Sequence, residues 1–214
     1  MFGLPQTTEF NKRIPKQKFY ENMAVSPALK RVFVEQIKLI HWRNKIAPAT
    51  VNIAAGQTVD EIEVIEIKLN QQSLDETVLR QIDKVIPYHI LFILSCENKV
   101  QAWIGYREAA ESNGKSMKIA RYYHTEWLHP DELALKIDGL NMDAVWDHFI
   151  IQIGGIELEQ GKSLNEQVET DTLREKLKRD IEKLEKKARS EKQPIKKFQL
   201  AQQAKALKEK LKSL

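Results

Sequence analysis

Cysteine is almost missing from the 214 residues: Cys96 is the only one. One thiol cannot build an internal disulfide framework or a cysteine-rich zinc site, and the apolar run from Ile90 to Cys96 makes this side chain a small buried hydrophobe at a strand end. Glycine is scarce too. Its eight copies never form GxGxxG or GxxxxGKS/T, so the usual phosphate cradles are absent. The five histidines, His41, His89, His124, His129 and His148, fall into no HxH or HxxxH spacing, which leaves no metal site and no cofactor to predict. No apolar stretch approaches the ~20 residues that cross a bilayer. The first residues lack the basic start, apolar centre and small-residue cleavage site of a signal peptide. We therefore expect a cytoplasmic protein with no membrane association.

What is present is a break in composition near Gly154 and Gly155. Every Trp, Tyr and His lies before it, and a Lys/Glu/Leu-rich stretch follows. From Lys176 to Lys212 about 14 basic side chains face about 5 acidic ones, so the formal charge of +4 hides a tail near +9 and a mildly acidic remainder. This predicts a globular domain over residues 1–155 and a basic helical arm over residues 156–214.

In the first part, Lys16 to Met23 can form a short helix after Pro15. Ser26 is a helix cap, with Pro27 in the first turn where its missing N–H costs nothing. Leu29, Val32, Phe33, Ile37 and Ile40 then recur at helical spacing, which predicts a helix from Pro27 to about Asn44, with His41–Lys45 as its basic end. Thr50–Ala54 and Glu61–Leu69 are β-branched and read as strands. Gln72–Val85 returns to a helical period with Ser73 as cap. His89–Ser95 and Val100–Tyr106 form a hairpin around Glu97-Asn98, with Asn98 as the residue that tolerates a left-handed backbone. Ser112–Gly114 reads as a turn, Met117–Trp127 as a strand, and Asn141 as the cap of a further helix. The fold class is α+β: a mostly antiparallel sheet of four or five strands with packed helices. In the tail, Leu164 to about Glu191 and Ile195 to Leu214 are helical. A straight helix would place Pro194 in its interior at a cost of about 3 kcal/mol. An antiparallel helical hairpin, a short coiled coil, avoids this.

Two groups of residues carry candidate chemistry. Glu66 and Lys68 lie two apart on an apolar strand and so point the same way, as the carboxylate and lysine of PD-(D/E)xK metal-dependent nucleases do. Such a site needs another acidic ligand from a preceding strand, where only Asn52 is found, and an amphipathic strand explains the pair without catalysis. The tail supplies the other group. Leu173, Leu177, Ile181, Leu184, Leu200, Leu207 and Leu211 trace an apolar seam for a protein partner or a second copy. Lys186, Lys187, Arg189, Lys192, Lys196 and Lys197 form a basic face that could neutralise phosphates. The aromatics of Tyr122–Trp127 could stack bases but equally well anchor a core.

Gly3-Leu4-Pro5, Lys12–Lys16, Phe19–Asn22, Asp83–His89, Ala102–Glu108 and Tyr122–Trp127, in this order, resemble the bacterial DUF4391 family, a domain of unknown function. The similarity covers the whole length. It implies an accessory gene product encoded beside helicases and adenine-type DNA methyltransferases of restriction-modification or phage-defence clusters; the family has no established catalytic motif. Our expectation is a non-enzymatic interaction subunit that docks a helicase or methyltransferase through the tail. The alternatives are a nuclease using Glu66 and Lys68, or a non-specific DNA-binding module.

Overall fold

The computed structural model describes residues 2–22, 26–109, 117–158, 161 and 163–213. Its contacts divide the chain into two compact units, Met1–Ile156 and Glu157–Leu214.

The first unit is built on six strands, β1 (Glu9–Ile14), β2 (Ile37–Ile46), β3 (Ile62–Leu69), β4 (His89–Cys96), β5 (Lys99–Ala109) and β6 (Met117–His124). They lie in sequence order across the sheet. All neighbours are antiparallel except β3 and β4, which are parallel. A parallel step needs a crossover, here α4 (Glu76–Val85). The remaining helices of this unit are α1 (Lys16–Asn22), α2 (Pro27–Gln36), α3 (Pro48–Val51) and α5 (Met142–Gly154). The α+β class is as expected, with one strand more than the sequence suggested. β1 is an exposed edge whose sequence has no apolar alternation to read, and β2 stands in place of the expected strand Thr50–Ala54.

Several boundaries differ from expectation. Ser26 does cap α2, its Oγ accepting from the Leu29 amide at 3.2 Å, but the helix ends at Gln36 and the chain turns extended at Ile37. Ile37 and Ile40 keep helical spacing from Phe33 and are fully buried, yet they sit on β2. Their period suits either structure, and pairing with β3 along Ile37–Ile46 decides for strand. Thr50 belongs to α3, not to a strand, because Pro48 opens a turn whose first amide, that of Ala47, donates to Thr50 Oγ1 at 2.9 Å. Asp75, not Ser73, caps α4, accepting from the Thr77 amide at 2.9 Å. In the β4–β5 turn it is Glu97 that takes the left-handed backbone, with φ +53. β6 ends at His124, short of Trp127. The expected turn at Ser112–Gly114 lies outside the described residues.

β3 and β4 are buried on both faces, which is why they read as nearly unbroken apolar runs. On one face Ile65, Ile67, Phe92 and Leu94 join Phe33 of α2 and Val78, Leu79 and Ile82 of α4 in the main core. Alternation puts Ile62, Val64, Glu66 and Lys68 on the opposite face. There α5 packs against β5 and β6 and reaches the amino ends of β3 and β4. Its Trp146 ring meets His89, the first residue of β4, edge-on at 4.8 Å. Its Asp143 carboxylate receives the amides of Gln57, Thr58 and Val59 at 2.6, 3.0 and 2.9 Å, just ahead of β3. Burial opposes ionisation of Asp143, but these hydrogen bonds prevail and hold its carboxyl below the usual range. The carboxyl ends of β3 and β4 are left for polar side chains.

The second unit is a helical hairpin. α6 (Leu164–Ser190) starts in a capping box, the Ser163 amide donating to Glu166 Oε2 at 2.8 Å, and α7 (Pro194–Lys212) starts at the proline. The two helices pack together and are tied by the Lys208–Glu185 pair at 2.6 Å.

Near the start of the chain, Gly3 has φ +77, and a Cβ there would stand 2.7 Å from the Leu135 carbonyl oxygen. The Leu135 amide in turn donates to the Phe2 carbonyl at 2.9 Å. Gly3→Ala is expected to destabilise the protein by about 1–3 kcal/mol. An unchanged denaturation midpoint would contradict this.

Candidate functional site

The polar carboxyl end of β3 is organised by one carboxylate. Glu66 is only 3% exposed. Its Oε2 accepts from Arg43 Nε at 2.6 Å and lies 2.5 Å from an Nη of the same guanidinium, while Oε1 accepts from Ser95 Oγ at 2.6 Å. Arg43 Nη1 also donates to Asn11 Oδ1 at 3.3 Å. A polar chain thus crosses four neighbouring strands, from Asn11 on β1 through Arg43 and Glu66 to Ser95 on β4. Two irregularities make it. The β1–β2 register shifts between Glu9 and Lys12, where Asn11 takes φ +48. The β2–β3 register shifts between Trp42 and Asn44, so Arg43 is the extra residue of a bulge, a feature that re-aims side chains.

Lys68 and Glu66 line one cavity of about 290 Å³, together with Ser95 and Glu97. The pair therefore does share a side of β3. Glu97 is the one further carboxylate on this cavity's wall, whereas Glu61, which precedes β3, pairs with Lys45 at 2.7 Å. No group of three or more potential metal ligands occurs among the described residues. Both oxygens of Glu66 are committed to protein donors, so coordination of a cation would require Arg43 and Ser95 to let go.

In the hairpin, the residues of the expected apolar seam fall on one stripe. Leu177 and Ile181 are buried, and Leu173, Leu184, Leu200, Leu207 and Leu211 are half-buried. Their helical spacing, with buried Ala188 and Ala204, is what two helices packed on each other produce. Lys186, Lys187, Arg189, Lys192, Lys196 and Lys197 are all exposed, grouped where α6 gives way to α7. Tyr122 and Tyr123, by contrast, are buried, which removes them as an open stacking platform.

A family model matches residues 2–211, under the description domain of unknown function DUF4391. The chain belongs to this family. No curated protein and no solved structure matches it.

Three of the sequence strings that carry the DUF4391 resemblance meet in space. The Tyr122 hydroxyl donates to Asp83 Oδ2, and Arg107 Nη2 donates to Asp83 Oδ1 at 3.3 Å and to the Tyr88 carbonyl at 2.8 Å. Burial pushes the Asp83 carboxyl up to about 6 against the pull of Tyr122 and Arg107. Sequence reasoning missed this cluster because its members are 24 and 39 residues apart and follow no motif.

In this DUF4391 domain the Glu66 carboxylate ties Arg43 of β2 to Ser95 of β4. Glu66→Ala would leave Arg43 and Ser95 without their partner and should cost about 2–4 kcal/mol, near the lower range for breaking a buried pair because Arg43 is partly exposed. Chemical denaturation checks this, and a loss below about 0.5 kcal/mol would place the pair among surface ion pairs of little consequence.

Proposed function

We propose that the protein is a non-enzymatic accessory subunit of a DNA-processing system, and that it meets nucleic acid at the elbow of its helical hairpin. The carrying observation is the grouping of six exposed cations within residues 186–197, against which only Glu191 is acidic. One of the six, Arg189, is paired with Glu185, at 3.5 Å. α7 itself holds six lysines and a single acid, Glu209. The last-turn cations Lys187 and Arg189 also complement the α6 dipole, which accounts for two charges but not for the group.

The elbow also exposes Ile195 and Phe198, 76% and 64% accessible. An open ring among lysines is the kind of surface on which bases stack, and large apolar side chains left in water are equally a contact for protein. The seam leucines support pairing of α6 with α7, so a helicase or methyltransferase partner would be met by these outward residues. The genomic setting implied by the family resemblance supports a DNA-linked role.

A nuclease reading has one observation in its favour, the shared cavity of Glu66, Lys68 and Glu97. Against it stand the committed oxygens of Glu66.

Fluorescence anisotropy of the full chain with a DNA duplex tests the elbow. Binding should weaken as salt rises, with a log–log slope of about −0.9 per phosphate contacted. Replacing Lys186, Lys187, Lys196 and Lys197 by Gln should lower the affinity at least ~10-fold at low salt and flatten the slope. A flat salt response of the unaltered protein, or full affinity in the variant, would overturn the proposal.

A further inference from the structure

The cavity at the carboxyl ends of β3 and β4 gathers more positive charge than the Glu66 network uses. Lys38 at the start of β2, Lys68 on β3 and Lys99 at the start of β5 all line it. They lie at neighbouring strand ends: Lys38 precedes Leu39, which is opposite Lys68, and Lys99 opens β5 beside Cys96, the last residue of β4. None of the three makes an ion pair with the described residues, whereas the Glu66 carboxylate in the same cavity is compensated by Arg43. Glu97 is the remaining anion on the wall. The balance is near +2 in a recess that also offers the apolar surfaces of Phe2, Val100 and Pro130.

We propose that this cavity is a binding site for a phosphomonoester. Such a group carries close to two negative charges at neutral pH and three acceptor oxygens, which matches three lysine donors and their net charge. A carboxylate would leave one charge over. The apolar wall suits the organic part next to the phosphate, and the location follows the rule that ligands sit outside the carboxyl ends of parallel strands. Ser95 holds Glu66 in place by its hydroxyl and so keeps that carboxylate turned toward Arg43 rather than toward the ligand. The phosphomonoester could come from a free nucleotide or from the 5′ end of a nucleic-acid strand. The site is on the body and does not rest on the elbow reading.

Calorimetric titration of the full-length protein in phosphate-free buffer tests it, with inorganic phosphate, adenosine 5′-monophosphate, adenosine, and a short oligonucleotide with and without a 5′-phosphate. We expect adenosine 5′-monophosphate to bind and adenosine not to, and the double variant Lys68→Gln/Lys99→Gln to weaken binding at least ~10-fold. Lys38→Gln/Lys99→Gln, which alters only exposed side chains, should do the same if the first variant does not fold. Binding confined to the phosphorylated oligonucleotide supports the strand-end source; binding of the mononucleotide supports the free one. The site is overturned if no phosphate-bearing probe binds, if adenosine binds as well as its monophosphate, or if a folded lysine variant retains full affinity.

Discussion

The body depends on one pair of strands that must be buried on both faces. β3 and β4 form the single parallel step in an otherwise antiparallel sheet, and their alternate residues face two different cores. From this follow the crossover α4, the cap of α5 over the amino ends, and the open carboxyl ends where polar side chains collect. Fixing α5 costs one carboxylate, Asp143, which binds three successive amides of the loop before β3.

A sheet buried this way tolerates an acid only with a partner or without its charge. Both solutions occur on β3. Glu66 has Arg43 and Ser95. Glu63 is 1% exposed, and burial, reinforced by the Glu61 carboxyl beside it, raises it well above the usual carboxylate range and favours its neutral form. The electrostatics of the body therefore serve structure first. What exceeds that need is cationic: three lysines at the cavity and the group at the hairpin elbow.

Where local chemistry was decisive, the sequence was legible. The caps Ser26 and Asn141, the Gly155 stop with φ +57, the Glu97-Asn98 turn and the break at Pro194 all mark real boundaries. Where two periods coincided, it was not. Phe33, Ile37 and Ile40 fit a helix as well as a helix followed by a strand, and only packing against β3 resolves them. The exposed edge β1 has no pattern at all. The site was legible in the same uneven way. Glu66 and Lys68 stood out, but the bulge that delivers Arg43, and the meeting of Asp83, Arg107 and Tyr122, are products of register and tertiary contact. The elbow cations needed only a charge count.

The proposal at the centre is that Glu66 holds a sheet together and is not part of a nuclease site. Purified full-length protein incubated with single- and double-stranded DNA in Mg²⁺ or Mn²⁺, beside the folded Glu66→Gln variant, tests this most directly. We predict intact DNA in every reaction. Metal-dependent cleavage that disappears in the variant would contradict the account and make Glu66 and Lys68 a catalytic pair.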